Sequence, residues 1–396
     1  MLHTKFFLFG WIYYLILPLF VGIYHIMPDM PSMELWHNNF SSISNNNLLM
    51  YLAIVVGYFF SFYLGSKVFF IFPIKKVIKR KRKYVLLKTD NFVAISILLS
   101  LIISYLVYLN SSILFTGYST HSNILGKLTA LYMVISFLLL HIKLSGLRLK
   151  INFYITSLLF ILAIILLGFG SRMYVLISII SILVYKFNYS EKKWNKLKIL
   201  FISVVILLFI LLIGSWRLDA DSSIQLSLYF LLAEPLFTWW SSATFLANNP
   251  LEIIDVPSNY ATSFVNFIPS FLFEDKGSLV KLLGDKFFIE NPLGAFSIFV
   301  SIQGNFGYLL GFVYIFFFGL YYSIIFYLSK NSIFFKTYYI LILALLPFQF
   351  FRDDFTIINK QLYWNMLILP ILILLFSNFV YRLLPYKKLN KKGVLK

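Results

Sequence analysis

Apolar residues fall in long runs along this chain, and polar residues gather in the short gaps between them. A helix crossing a bilayer needs roughly 17 to 25 mostly apolar residues, and windows of that size predict ten spans. The first five are Phe6 to Ile26, Leu48 to Phe72, Phe92 to Leu109, Leu125 to Leu144 and Phe153 to Phe169. Met173 to Phe187, Ile199 to Trp216, Tyr308 to Leu328, Phe334 to Phe351 and Leu362 to Leu384 complete the set. The first run is too long for a signal-peptide core and has no small-residue cleavage site, so it counts as a span. The expected fold is an all-α polytopic integral membrane protein, one domain over residues 1–396.

The gaps carry the orientation. Of the 34 Lys and Arg residues, 25 fall in alternate gaps, among them eight between Lys75 and Lys88 and five between Lys186 and Lys198. Basic residues accumulate on the cytoplasmic side, which places both termini there. The opposite gaps hold Lys127, Arg172, Arg217, Lys276, Lys281, Lys286, Arg352 and Lys360, together with most of the acidic residues. The formal net charge of +19 is then a topology signal and a contact for anionic lipid, with no nucleic-acid partner implied. With only 12% charged residues in 396, no ordinary soluble domain can be fitted. Zero cysteines exclude disulfides, thiolate metal sites and cysteine nucleophiles.

One outer connection is long, from about Ser215 to Gly307. Its piece Ile224 to Ala247 is apolar enough to enter the bilayer but is interrupted by Glu234 and Pro235. Its potential partners, Phe264 to Phe273 and Leu293 to Ile302, are short, so re-entrant or interface-lying helices are expected there. The alternative is amphipathic helices that merely pack on the bundle.

Ionisable groups at membrane depth are costly and usually line a cavity. Phe153 to Phe187 offers 35 residues for two crossings, about 52 Å of helix against two hydrocarbon thicknesses of about 30 Å. The tip Gly170-Ser171-Arg172 should therefore sit at or below the outer interface. Arg217 and Arg352 likewise stand at outer helix ends. A guanidinium grips phosphate through two parallel hydrogen bonds, and three around one cavity would suit a lipid-linked pyrophosphate. The alternative is that each pairs with a headgroup or a nearby carboxylate. Candidate acids are Glu234, Asp219, Asp221, Asp353 and Asp354. Glu234 stands out because it interrupts an apolar stretch, where desolvation would raise its pKa toward that of a general base. Asp353 beside Arg352 reads first as its ion-pair partner. His25, His37 and His121 show no metal-ligand spacing, and no metal site is expected. Phosphate loops, nucleophile elbows and zinc-protease helices are missing from the sequence, and there is no cytoplasmic domain for a nucleotide. Any reaction on the outer face would use a substrate that arrives already activated, with no cofactor.

These features resemble the bacterial oligosaccharide repeat-unit polymerases, the Wzy-type O-antigen and capsule polymerases. The resemblance rests on the Gly-Ser-Arg turn, on Tyr229 to Glu234 early in the long connection and on Phe267-Ile268-Pro269 within it. It continues through Gly304-Asn305-Phe306-Gly307, Gly311 and Gly319 to Arg352-Asp353, over roughly residues 150 to 365. It implies a GT-C-like membrane glycosyltransferase in the inner membrane that joins undecaprenyl-pyrophosphate-linked repeat units on the periplasmic face. Arg172, Arg217 and Arg352 would then meet the pyrophosphate charge, and Glu234, or failing that Asp353, would take the acceptor proton. Trp239, Trp240, Tyr260 and Asn305 would contact sugar, although Trp and Tyr also serve as interface anchors. A chain-length regulator protein is a further implied partner. An O-antigen ligase and a carrier of the same lipid-linked oligosaccharide stay open beside the polymerase.

Overall fold

The computed structural model describes residues 1–71, 122–146, 149–169, 171–190, 224–255, 257–268, 275–281 and 295–383, with a few single positions between them. The expected spans Phe92 to Leu109 and Ile199 to Trp216 lie mostly outside these residues, as do the basic stretch Lys75 to Lys88, His121, Arg217, Asp219, Asp221 and the tail beyond Leu383.

Among the described residues the regular structure is helical. Helix α1 covers Leu2–Ile23, α2 Met33–Ser41, α3 Asn45–Ile71 and α4 Ser122–Ser145. Then come α5 at Leu149–Gly168, α6 at Arg172–Val184 and α7 at Ile224–Asn248. The short α8 is Ser258–Ser263, followed by α9 at Ile298–Ser329, α10 at Ile333–Leu345 and the single turn α11 at Gln349–Arg352. Last, α12 runs through Phe355–Asn359, a π-helical stretch Lys360–Ile368 and Leu369–Leu383. Helices α1, α3, α4, α9 and α12 are long and apolar enough to cross a membrane; α5 and α10 are apolar but shorter. The other expected spans inside the described residues fall on α1, α3, α4, α5, α6, α9 and α12, but Phe334 to Phe351 is divided between α10, which ends at Leu345, and the single turn α11.

Side-chain size sets the packing. Helices α3 and α9 lie close enough that a Cβ on Gly65 would strike the Phe316 carbonyl and one on Gly319 the Phe62 carbonyl. Small residues permit this approach between helices that gain nothing from the hydrophobic effect in lipid. Ser323 Oγ donates to the Ser66 carbonyl at 2.7 Å along the same seam. Around it stands an aromatic core in which Phe7 stacks on Phe62 at 3.8 Å and Phe318 on Phe350 at 4.5 Å. From Thr337 to Leu345, α10 is buried on every face and forms the centre of the bundle. Phe153, Phe160, Leu375 and Phe376 instead turn outward, as lipid-facing positions would.

Three expectations need correction. First, α7 is not broken at Glu234-Pro235; it is one continuous helix packed among α1, α2 and α9, with Leu236, Trp239 and Leu246 enclosed. A proline inside a helix leaves the carbonyl four residues back without its donor, and here that carbonyl, of Leu231, accepts the Tyr13 hydroxyl at 2.5 Å. The Trp36 indole on α2 binds the next turn through the Leu236 carbonyl at 2.9 Å. Second, the helix expected from Tyr308 begins ten residues earlier, at Ile298, and Gly307, with φ of 61° and ψ of −173°, interrupts α9 between them. That conformation is open only to glycine. The amides of Tyr308 and Leu309 beyond it bond the carbonyls of Glu252 and Ile253. Third, α5 begins at Leu149, and its 20 residues reach about 30 Å. The hairpin therefore offers more helix than the 35 residues counted from Phe153.

Candidate active site

The turn between α10 and α12 carries the charges. Its position is fixed by two buried rings: Phe350 stacks on Phe318, and Phe351 lies 6.3 Å from the parallel ring of Tyr14. Phe351 also fills the space beside Gly10 that a Cβ would occupy. α11 thus locks onto α1 and α9 and presents Arg352 and Asp353 at its end.

Arg352 Nε pairs with Glu234 Oε1, which arrives from α7 more than a hundred residues earlier in the chain. Arg352 Nη1 stands 3.8 Å from Asp353 Oδ1. The side chains of Arg352 and Glu234 keep 18% and 25% of their surface exposed, whereas Asp353 keeps only 5%. Burial pushes the Asp353 carboxyl up to about 6; the Arg352 guanidinium and the Gln349 amide pull it back down, and the Asp354 and Glu234 carboxyls add to the rise. Gln349 Nε2 donates to Asp353 Oδ2 at 2.8 Å. Asp354 has a different task. Its Oδ1 accepts from the Ile357 amide at 3.2 Å and from Thr356 Oγ1 at 2.5 Å, which caps α12.

The structure therefore joins Glu234, Arg352 and Asp353. Arg172 opens α6 and forms no ion pair with a described carboxylate; two residues on, Tyr174 lies against Gln349 and Gln361 and within electrostatic reach of Asp353. Arg217 lies outside the described residues.

The expected sugar contacts are placed differently. Trp239 is enclosed, with its ring nitrogen donating to the Tyr51 hydroxyl at 2.7 Å, and no face of it is open to a sugar or to the interface. Trp240 is 7% exposed and points its nitrogen at Glu290 Oε2, 3.4 Å away. Asn305 is buried, accepting from the Tyr260 amide and donating to Asn259 and the Ser301 carbonyl. Tyr260 packs within an aromatic group of Phe264, Phe306, Tyr314 and Phe355. Tyr260 and Asn305 thus hold the 257–268 segment against α9 and α12. His37 is buried on α2 and bonds the Ile26 carbonyl, with the His25 ring 4.0 Å away. No group of three or more metal-ligating side chains occurs among the described residues.

Tyr14, Tyr174 and Gln349 belong to this site, although the sequence alone does not single them out. Gln349 has a signal, a lone amide among Phe348, Phe350 and Phe351, as do Gln361 and Asn365 four residues apart in an apolar run. With 27 tyrosines in the chain, the two tyrosines have none.

The described residues form an all-helical bundle with several membrane-length apolar helices, which defines a polytopic membrane protein, and a half-buried carboxylate–arginine cluster stands at one of its helix connections. The family model for O-antigen polysaccharide polymerase Wzy matches residues 2–268. The chain belongs to that family, whose members polymerise O-antigen repeat units. The match takes in the first 150 residues, which lie outside the stretch that carries the motif resemblance, and with them Tyr13 and Tyr14; it stops short of Arg352. No curated protein and no solved structure matches the chain.

Proposed function

We propose that this chain polymerises undecaprenyl-pyrophosphate-linked repeat units on the outer face of the bacterial inner membrane, with both termini cytoplasmic. The observation that carries the reading is the pairing of Arg352 and its neighbour Asp353 with Glu234, which comes from a distant part of the sequence to one half-buried point. A fixed cation beside two carboxylates is what a sugar transfer with an anionic leaving group needs.

The acceptor hydroxyl attacks the anomeric carbon of the growing glycan, and the bond from that carbon to the pyrophosphate oxygen breaks. Arg352, joined by Arg172 and Arg217, meets the charge that develops on the leaving pyrophosphate. Preorganised charge of this kind commonly supplies more of an enzyme's barrier reduction than any other single effect. It also gives the arginines the work that a metal ion does in other transferases. Glu234 takes the hydroxyl proton through Oε2, because Oε1 is held by Arg352. Asp353, ionised, keeps the guanidinium turned toward the site. Cleavage of the bond from sugar to pyrophosphate supplies the free energy for the new glycosidic bond, so no nucleotide is consumed. In this reading the two substrates are the partners, and a chain-length regulator acts from outside the site.

A strain deleted for this gene and complemented with wild type, Arg352→Ala or Arg172→Ala tests the reading on a gel of surface polysaccharide. The expected result is a ladder with wild type and a single-repeat band with the deletion and both inserted variants. Loss of even the single-repeat band on deletion would move the assignment to a carrier or a ligase.

A further inference from the structure

Behind Asp353 lies a line of buried amides that the chemistry above leaves unused. Gln349 is 1% exposed; its Nε2 serves Asp353 Oδ2 at 2.8 Å while its own Oε1 has no hydrogen-bond partner. Rotating the amide would set oxygen against oxygen, so the nitrogen must face the carboxylate. On the far side, the Tyr174 hydroxyl lies against the Gln349 and Gln361 amides. Gln361 Oε1 in turn accepts from Asn365 Nδ2 at 2.9 Å. The line thus ties the helix that starts at Arg172 and the π stretch of α12 to the turn that presents Arg352. A buried amide is costly unless it is bonded, and an apolar side chain of the same size would fill this place at lower cost.

We infer that Gln349 is a positioning residue of the polymerase site: its Nε2–H, bonded to Asp353 Oδ2, keeps that carboxyl turned toward Arg352. The inference rests on the reading of Arg352 as the cation that meets the pyrophosphate. The charged and titratable groups facing Asp353 are Arg352 and Asp354 beside it, Glu234 from α7, Tyr14 from α1 and Tyr174 from α6. Against the two carboxylates and the burial, the Gln349 N–H acts in the same sense as Arg352 and favours the charged form. Removing it shifts Asp353 upward. Since Arg352 is oriented by ionised Asp353, the acid limb of the rate profile moves with it.

The test uses the full chain in lipid nanodiscs, fed with lipid-linked repeat units extracted from the deletion strain, with polymer formation per inserted protein followed from pH 5 to pH 8. Gln349→Leu should move the acid limb up by about one pH unit, with the loss of rate concentrated below pH 7. Gln349→Met, which keeps the length of the side chain without the N–H, should move it the same way, and it carries the test if the leucine variant fails to insert. A rate lowered by the same factor at every pH, or a limb that stays where the wild-type limb lies, overturns the positioning role and leaves the polymerase reading intact. A wild-type protein that makes no polymer at any pH overturns both.

Discussion

At the scale of single residues, Arg352 and Asp353 decide most. Arg352→Lys keeps the charge but loses the planar fork, and polymer formation should fall by about 10² or more, as when one stabilising donor is removed elsewhere. A rate within a few-fold of wild type, measured on equally inserted protein, would return Arg352 to a structural ion pair. For Asp353 the sign follows from burial. Its carboxyl lies above the ordinary value of 3.8, at about 6, so the folded protein binds this proton more tightly than the unfolded chain does. The stability linked to it is present below about pH 4 and is lost as pH rises through about 6. Asp353→Asn carries no such charge. At pH 7.5 it should unfold at a higher temperature than wild type, by on the order of 2 to 3 kcal/mol, with the two converging near pH 4 and with polymer formation reduced. A variant no more stable than wild type at pH 7.5 contradicts the assignment. Both residues are visible in the sequence, because a charged triplet, Arg352-Asp353-Asp354, ends an apolar run. What cannot be read there is which acid does what: Asp354 as a helix cap, Asp353 as the buried acid and Glu234 as the partner of Arg352 follow from how α7 meets the turn before α12.

At the scale of elements, the structure turns on how helices tolerate residues that should break them. The Tyr13 hydroxyl replaces the donor that Pro235 lacks. Tyr13→Phe should therefore cost about 1 to 2 kcal/mol while Pro235 is present. In a Pro235→Ala background the helix bonds Leu231 itself, and the cost should shrink; equal costs in both backgrounds, in a thermal-unfolding cycle, would refute the replacement. Gly307→Ala meets two obstacles, a positive φ and a Cβ placed 2.7 Å from the Glu252 and Ile253 carbonyls. Inserted protein should drop several-fold on a membrane immunoblot. The helices themselves are legible because apolar runs of this length have few other solutions. The continuity of α7 is not, since a Glu-Pro pair reads as a stop unless the compensating hydroxyl, from a tyrosine 218 residues away, is known. The α3–α9 seam has a readable sign. Gly57 and Gly65 on one helix and Gly311 and Gly319 on the other keep the same spacing of eight, which marks a close crossing within one chain.

At the scale of the whole molecule, sidedness can be measured directly because the chain has no cysteine. A cysteine at Asn249 should react with an impermeant maleimide in intact spheroplasts, and one at Ser332 only after lysis. The reverse pattern would invert the topology and put the Arg352 cluster inside. The long-range pairing of Glu234 with Arg352 also has a consequence for how the protein is made. About 120 residues separate the two, so at ribosomal speeds of 5 to 20 residues per second the carboxylate waits on the order of ten seconds in the membrane before its arginine is synthesised. During that interval α7 must either hold back at the surface or enter with Glu234 protonated. A chain truncated before α11 would keep that unpaired acid permanently, which makes it a natural substrate for membrane quality control.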